Sequence, residues 1–376
     1  LLTCVALAWP NPSVLILVGL MNGATLLALA FFGQMPVFCA PALACISFAI
    51  AIAVPLAVGK LDANSVTSTA LVRELLTTRT SLLLSAMMVI AAAPIVQLRK
   101  RGMTDYAMQF GMGGAVHMAA STLLALYVGF IRLSDDQALA APILLTHAIL
   151  LLITGRWLPH PAVAWTSATM TLLAIVQATS HNAFVRDVVI RNDWLRNQPI
   201  ATALAIYSLS ASLCSAGIAW FARKHSHRED VALFARATTF AWNWAAVSTA
   251  TLAGIFILAT PIATFSPQAA LMAATSLAWL IVSINAGSPA FMAGAQVASS
   301  LAITLGCAAL CERTGWWDNN IMSPRHLQWQ VAALAAWNLG WTSLRILSKR
   351  SQTAQQLLAR FWPTADVCIV ILLCIA

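Results

Sequence analysis

From Pro142 to Val163 the chain reads PILLTHAILLLITGRWLPHPAV. An apolar run ends at Gly155, a knot carrying Arg156, Pro159, His160 and Pro161 follows, and a fresh apolar run begins. The knot is either a ligand-binding loop or the turn between two spans, and the choice decides the fold. Two other stretches share its plan. LILVGLMNGATLLALAFFGQMPVF (Leu15–Phe38) and ALMAATSLAWLIVSINAGSPAF (Ala270–Phe291) each run through apolar residues to a glycine, Gly33 or Gly287. A proline follows, Pro36 or Pro289, and then another apolar run. Neither stretch has a counterpart of Arg156 or His160, so the knot reads as a turn. Glycine supplies a permissive backbone at a helix end. Proline, here Pro159, suits the first turn of the next helix, where its missing N–H costs nothing.

Composition supports the wider reading. Apolar residues make up 60% of the 376 positions, charged residues only 9%, and the mean hydropathy is +0.81. A soluble chain carries roughly 25% charged residues, so this one lacks the polar surface to cover a water-soluble globule. Its apolar runs are about as long as a hydrocarbon core of roughly 30 Å demands. They are continuous rather than alternating, which excludes a β-barrel. The expected fold is all-α, a polytopic transmembrane helical protein. Eleven complete spans are expected at 13–31, 37–57, 81–98, 108–132, 139–154, 162–180, 201–222, 241–263, 268–286, 290–310 and 328–346. Two more, at 1–9 and 365–376, read as cut spans of a longer polypeptide, because backbone polar groups ending in mid-bilayer are costly.

The landmarks repeat in order. Each Gly–Pro hairpin is followed by a polar segment: Val58–Ser81, Ser180–Thr202 and Cys311–Gln330. A further span then leads to a basic linker: LRKRGMTDYAMQ from Leu98, ARKHSHREDVALFARA from Ala222, SKRSQTAQQLLARFW from Ser348. The period is about 125 residues and holds four spans. The expected units are therefore 1–98 (a partial first unit), 99–222, 223–347 and 348–376 (the start of a fourth). An even number of spans per unit gives every unit the same orientation, as parallel repeats.

Charge sets the expected topology. The basic linkers and Gly–Pro turns hold twelve Lys and Arg against four acidic residues, and the opposite side nine against eight. By the positive-inside rule the linkers face the cytoplasm and the long polar segments the other side of a plasma or inner membrane. The net charge of +9 then reflects contact with anionic lipid and calls for no nucleic acid. The polar segments carry amphipathic stretches, TALVRELLTTRTSLLL from Thr69 and AFVRDVVIRNDWLRN from Ala183. Such stretches suit helices lying in the interface plane, or a docking face for another subunit. Trp9, Trp157, Trp242, Trp316, Trp317 and Trp362 fall near expected span ends, as an aromatic belt does.

Motifs for chemistry are missing from the sequence: there is no P-loop, H-E-x-x-H, G-x-S-x-G or dinucleotide fingerprint. Cys307 and Cys311 share a helix face but lack a His or carboxylate at ligand spacing, so no metal site is expected. Deep in the spans the ionisable side chains other than Cys and Tyr are His117 and His147. They lie on consecutive antiparallel helices at similar depth. That makes them the candidate cofactor-binding residues, with haem as the group two imidazoles would hold. Polar contact between helices is the simpler use, and it is also the reading for Asn22, Asn243, Asn285 and Asn338. Small-residue stretches such as GMGGAVHMAAS (Gly111–Ser121) let helices approach closely.

The function expected from these features is a non-catalytic membrane scaffold or assembly subunit of tandem four-helix units. Its partners would be membrane lipids and other membrane subunits or further repeats. The alternative is a transporter or carrier of a lipid or apolar solute; ion-coupled transport is disfavoured because no Asp, Glu or Lys lies deep in an expected span.

Overall fold

The computed structural model describes residues 8–62, 66–132, 137–156, 160–181, 199–225, 227–259, 265–314 and 324–348, with 355, 356 and 358. Residues 1–7 of the first cut span, the whole second cut span, Trp194, Trp316, Trp317, most of the second polar segment and residues 315–323 of the third lie outside the described residues. Among the described residues there are twelve α-helices and no strand. Unit 1 (Leu1–His147) contains α1 (Pro12–Phe31), α2 (Cys39–Ala57), α3 (Ser68–Leu75), α4 (Thr78–Lys100) and α5 (Thr104–Leu126). The unit boundary falls within α6 (Ala140–Gly155). Unit 2 (Ala148–Ala376) continues with α7 (Pro161–His181), α8 (Pro199–Lys224), α9 (Glu229–Ala259) and α10 (Phe265–Ala286), then α11 (Pro289–Arg313) and α12 (Pro324–Ser348).

Ten of the twelve helices are long and apolar enough to cross a membrane. The protein is an all-α polytopic membrane protein. The expected span at 328–346 is covered by α12, which is not among those ten because Arg345, Asn338, Gln328 and Gln330 dilute its apolar character. The helix that carries the expected span at 241–263 is α9, which begins twelve residues before that span, at Glu229. The second basic linker therefore runs into helix. Glu229 and Asp230 in the first turn favour this, because carboxylates complement the positive end of the helix dipole. Trp242 lies mid-helix and buried, whereas Trp9 donates its indole N–H to Ser68 Oγ at 3.0 Å.

The Gly–Pro turns at Gly33 and Gly287 join packed helix hairpins, and two local corrections apply. Gly287 has φ +62°, and Pro289 opens α11 as expected. At the first turn Gln34 takes the left-handed conformation (φ 56°) instead of Gly33, and Pro36 opens a short 3₁₀ turn that leads into α2. At the third, Pro161 opens α7, and Pro159 lies outside the described residues.

Packing within each unit follows from residue size. In unit 1, α1 meets α2 through Gly19 and Gly23, one helical turn apart. A Cβ on Gly19 would stand 2.9 Å from Ala49 Cβ and 3.1 Å from the Cys45 carbonyl oxygen. This is a small-xxx-small contact, which in hydrocarbon replaces the hydrophobic drive that lipid cannot supply. α5 reaches α2 the same way through Gly113, beside Leu43 and Ala40. In unit 2 the core joins α8, α9, α10 and α11 around Leu204, Ile257, Met272 and Leu305, and α7 to α8 and α9 around Ala168, Tyr207 and Trp242. Large apolar side chains such as Leu17, Val116, Leu123, Leu252 and Ile284 are exposed. In water they would form an aggregation surface; in a bilayer they meet acyl chains.

Candidate functional site

The polar groups inside unit 1 gather on the faces that α2, α4, α5 and α6 turn to one another. Ser81 and Ser85 stand one turn apart on α4, and His117, Ser121 and Thr122 occupy α5. Each is buried, as are Ser47 on α2 and His147 on α6. A buried hydroxyl or imidazole without a partner costs several kcal/mol in an apolar medium, of order 2–7, so the bonds these groups make hold the helices in register.

His147 bridges two helices. Its Nε2 lies 2.9 Å from Ser85 Oγ and its Nδ1 3.0 Å from Thr122 Oγ1. Ser85 continues to Ser121 Oγ at 2.8 Å. Ser81 and Ser121 donate reciprocally to each other's backbone carbonyls at 2.7 Å. The result is a chain from His147 through Ser85 and Ser121 to Ser81, across α6, α4 and α5. A neutral His147 satisfies it when Thr122 donates to Nδ1, Nε2–H donates to Ser85, and Ser85 donates onward.

His117 serves a different contact. Its Nδ1 lies 2.6 Å from the Gly113 carbonyl and, since a carbonyl only accepts, Nδ1 carries the proton. Nε2 lies 2.7 Å from Ser47 Oγ on α2. With a neutral ring, Nε2 accepts the Ser47 hydroxyl proton, which otherwise turns to the Leu43 carbonyl at 2.8 Å. The two histidines therefore do not bond each other. Each has both nitrogens engaged, so binding a haem iron through either requires one of these bonds to break.

Unit 2 holds a second knot. Ser215 on α8 donates to Asn243 Oδ1 on α9 at 2.6 Å, and Asn285 on α10 donates to Ser215 Oγ at 3.0 Å. Asn243 and Asn285 thus come together as interhelical contacts, while Asn22 and Asn338 belong to neither knot. Two further contacts close the end of the α10–α11 hairpin. The Phe265 N–H donates to Glu312 Oε2 at 3.1 Å, and Arg313 reaches Ser266 Oγ at 2.9 Å. Glu312 thereby caps the first turn of α10 with a negative charge.

Cys307 and Cys311 are free thiols, and among the described residues no three His, Cys, Asp or Glu side chains gather as metal ligands would. Sequence reasoning passed over the serine ladder and the Gly19/Gly23 contact. Both had a signal: hydroxyls at i, i+4 in Ser81/Ser85, and glycines at i, i+4 in GLMNG.

No protein-family model matches this chain, and no curated protein or solved structure shows significant similarity to it.

Proposed function

We propose that this chain is a non-catalytic membrane scaffold or assembly subunit built of parallel four-helix units. The observation that carries the reading is how the buried polar groups are used: His117, His147, Asn243 and Asn285 are all engaged in hydrogen bonds to other helices. A carrier leaves such groups turned to a solute path; a scaffold uses them to fix helix register.

The two knots also support the repeat. In the four-helix frame, α4 and α8 precede the basic linkers, α5 and α9 follow them, and α6 and α10 lead into the next Gly–Pro turns. The bonds Ser85–His147–Thr122 and Ser215–Asn243–Asn285 therefore each join the last helix of one four-helix unit to the first two of the next. Their heights differ: His147 lies eight residues before its glycine and Asn285 two. The equivalence is thus one of helices rather than of positions. In this reading the linkers face the cytoplasm, and the exposed apolar faces receive neighbouring subunits or further repeats.

Blue-native electrophoresis of the source membrane in mild detergent tests the assembly role. A scaffold migrates in a defined complex well above its 40.0 kDa mass, and the complex is lost when an outward residue such as Leu123 is changed to Trp. A chain that runs alone and moves lipid or apolar solute between liposome leaflets would instead establish the carrier.

A further inference from the structure

At one end of unit 1, the turn after α2, helix α3, the first turn of α4 and the segment after α5 enclose a cleft of about 530 Å³. Lys60, Arg73, Arg79 and Arg132 line it, with Glu74 as the one carboxylate among the described lining residues. None of these cations is ion-paired with Glu74; the ion pair found among the described residues, Arg228–Asp230, belongs to unit 2. Arg132 spends one nitrogen on the Leu76 carbonyl at 2.8 Å, which anchors its guanidinium at the end of α3. Among the described lining residues four cations stand against one carboxylate, so their side of the concavity favours an anion, and the positive end of α4 adds to the same field.

A second observation points to an occupant. Thr78 lines the cleft and is fully buried, yet its Oγ1 has no hydrogen-bond partner. Its neighbour Thr77 is already used, accepting from the Thr80 N–H and donating to the Glu74 carbonyl. A buried hydroxyl is rarely left orphaned; this one is closed off from solvent, and it meets an oxygen-rich group from outside once the lining side chains part around that group.

The cleft has an apolar annex. Lys60, Glu74, Thr77 and Arg79 also border a recess of about 350 Å³ walled by Val54, Pro55, Val58 and Leu83. Free phosphate would satisfy the cations but leave this recess unexplained. We propose that the paired recesses bind an anionic glycerophospholipid. Its phosphate sits among Lys60, Arg73, Arg79 and Thr78, and one acyl chain runs along the apolar wall between α2 and α4. The assignment stands independently of the scaffold reading, since a carrier would hold the same headgroup at the same place.

The test uses the whole chain in phosphatidylcholine nanodiscs, titrated with dioleoyl-phosphatidylglycerol and read by native mass spectrometry of retained lipid. Phosphatidylglycerol should be retained over phosphatidylcholine. Lys60→Gln, at an exposed turn, should weaken retention about fivefold, and Lys60→Gln with Arg79→Gln roughly 25-fold, as expected for about 1 kcal/mol per basic residue near a membrane surface. Thr78→Val keeps the side-chain shape and should also weaken retention while leaving the melting temperature in phosphatidylcholine unchanged or higher. Arg101→Gln, outside the cleft, should have no effect. Retention untouched by the cleft variants overturns the proposal. So does protection by millimolar inorganic phosphate equal to that by the lipid, which would leave the apolar recess without a role.

Discussion

Glycine-to-alanine substitution should act with opposite sign at Gly19 and Gly306, and the pair tests whether close helix approach stabilises unit 1. Both residues lie inside long apolar helices. Alanine gains up to about 1 kcal/mol of helix propensity over glycine at either site. At Gly306 the new methyl meets nothing within 4 Å, so this gain should appear in full. At Gly19 the methyl would stand 2.9 Å from Ala49 Cβ and 3.1 Å from the Cys45 carbonyl oxygen. A backbone oxygen and a Cβ cannot rotate away, so α1 must move off α2. Overpacking of this kind costs about 1–3 kcal/mol. Gly19→Ala should therefore be destabilised by up to about 2 kcal/mol and Gly306→Ala stabilised by up to about 1. Reversible unfolding in bicelles titrated with SDS, followed by circular dichroism, measures both. A Gly19→Ala variant at least as stable as Gly306→Ala would refute the close-approach argument.

Three other expectations can be checked separately. A double-mutant cycle on Ser85→Ala and His147→Ala should give a coupling energy of about 0.6–1.7 kcal/mol, the range for interhelical bonds in membranes; additivity within error would mean that the 2.9 Å contact contributes nothing. Gly287→Ala should destabilise unit 2 by about 1–2 kcal/mol, the cost of the left-handed conformation for a residue with a Cβ, because φ there is +62° with open space around it; unchanged stability would show that the turn relaxes. In single-cysteine variants of a cysteine-free background, Arg101→Cys and Lys224→Cys should react with membrane-impermeant maleimide from the cytoplasmic side alone. Lys60→Cys should react from the other side alone, and labelling of all three from one side would refute the proposed topology.

Much of the fold is written in the sequence because a bilayer restricts the options. Backbone groups in hydrocarbon must bond within their own helix, so a continuous apolar run of sufficient length has one stable form. The spans near 13–31, 37–57 and 268–286 were legible for that reason. Boundaries blurred where helix runs past the apolar part, as in α9, since Glu229 and Asp230 at the positive end of the helix dipole favour a start ahead of the apolar run. His117 and His147 could be singled out as ionisable groups at similar depth. Helical spacing gave their height but not their bearing.

The sequence by itself determined a helical membrane protein, its hairpin turns and the short set of polar residues that needed partners. Only the tertiary structure decided who those partners are. It sends His117 to Ser47 on α2, where the close approach of Gly113 to Ala40 sets the bearing of α5, and His147 to Ser85 and Thr122. It also gathers Lys60, Arg73, Arg79 and Arg132, up to 72 positions apart, around the unpartnered hydroxyl of Thr78. Hydropathy along a chain is a local quantity set by transfer from water. Which side chains meet depends on packing between helices distant in sequence, and no local pattern encodes that.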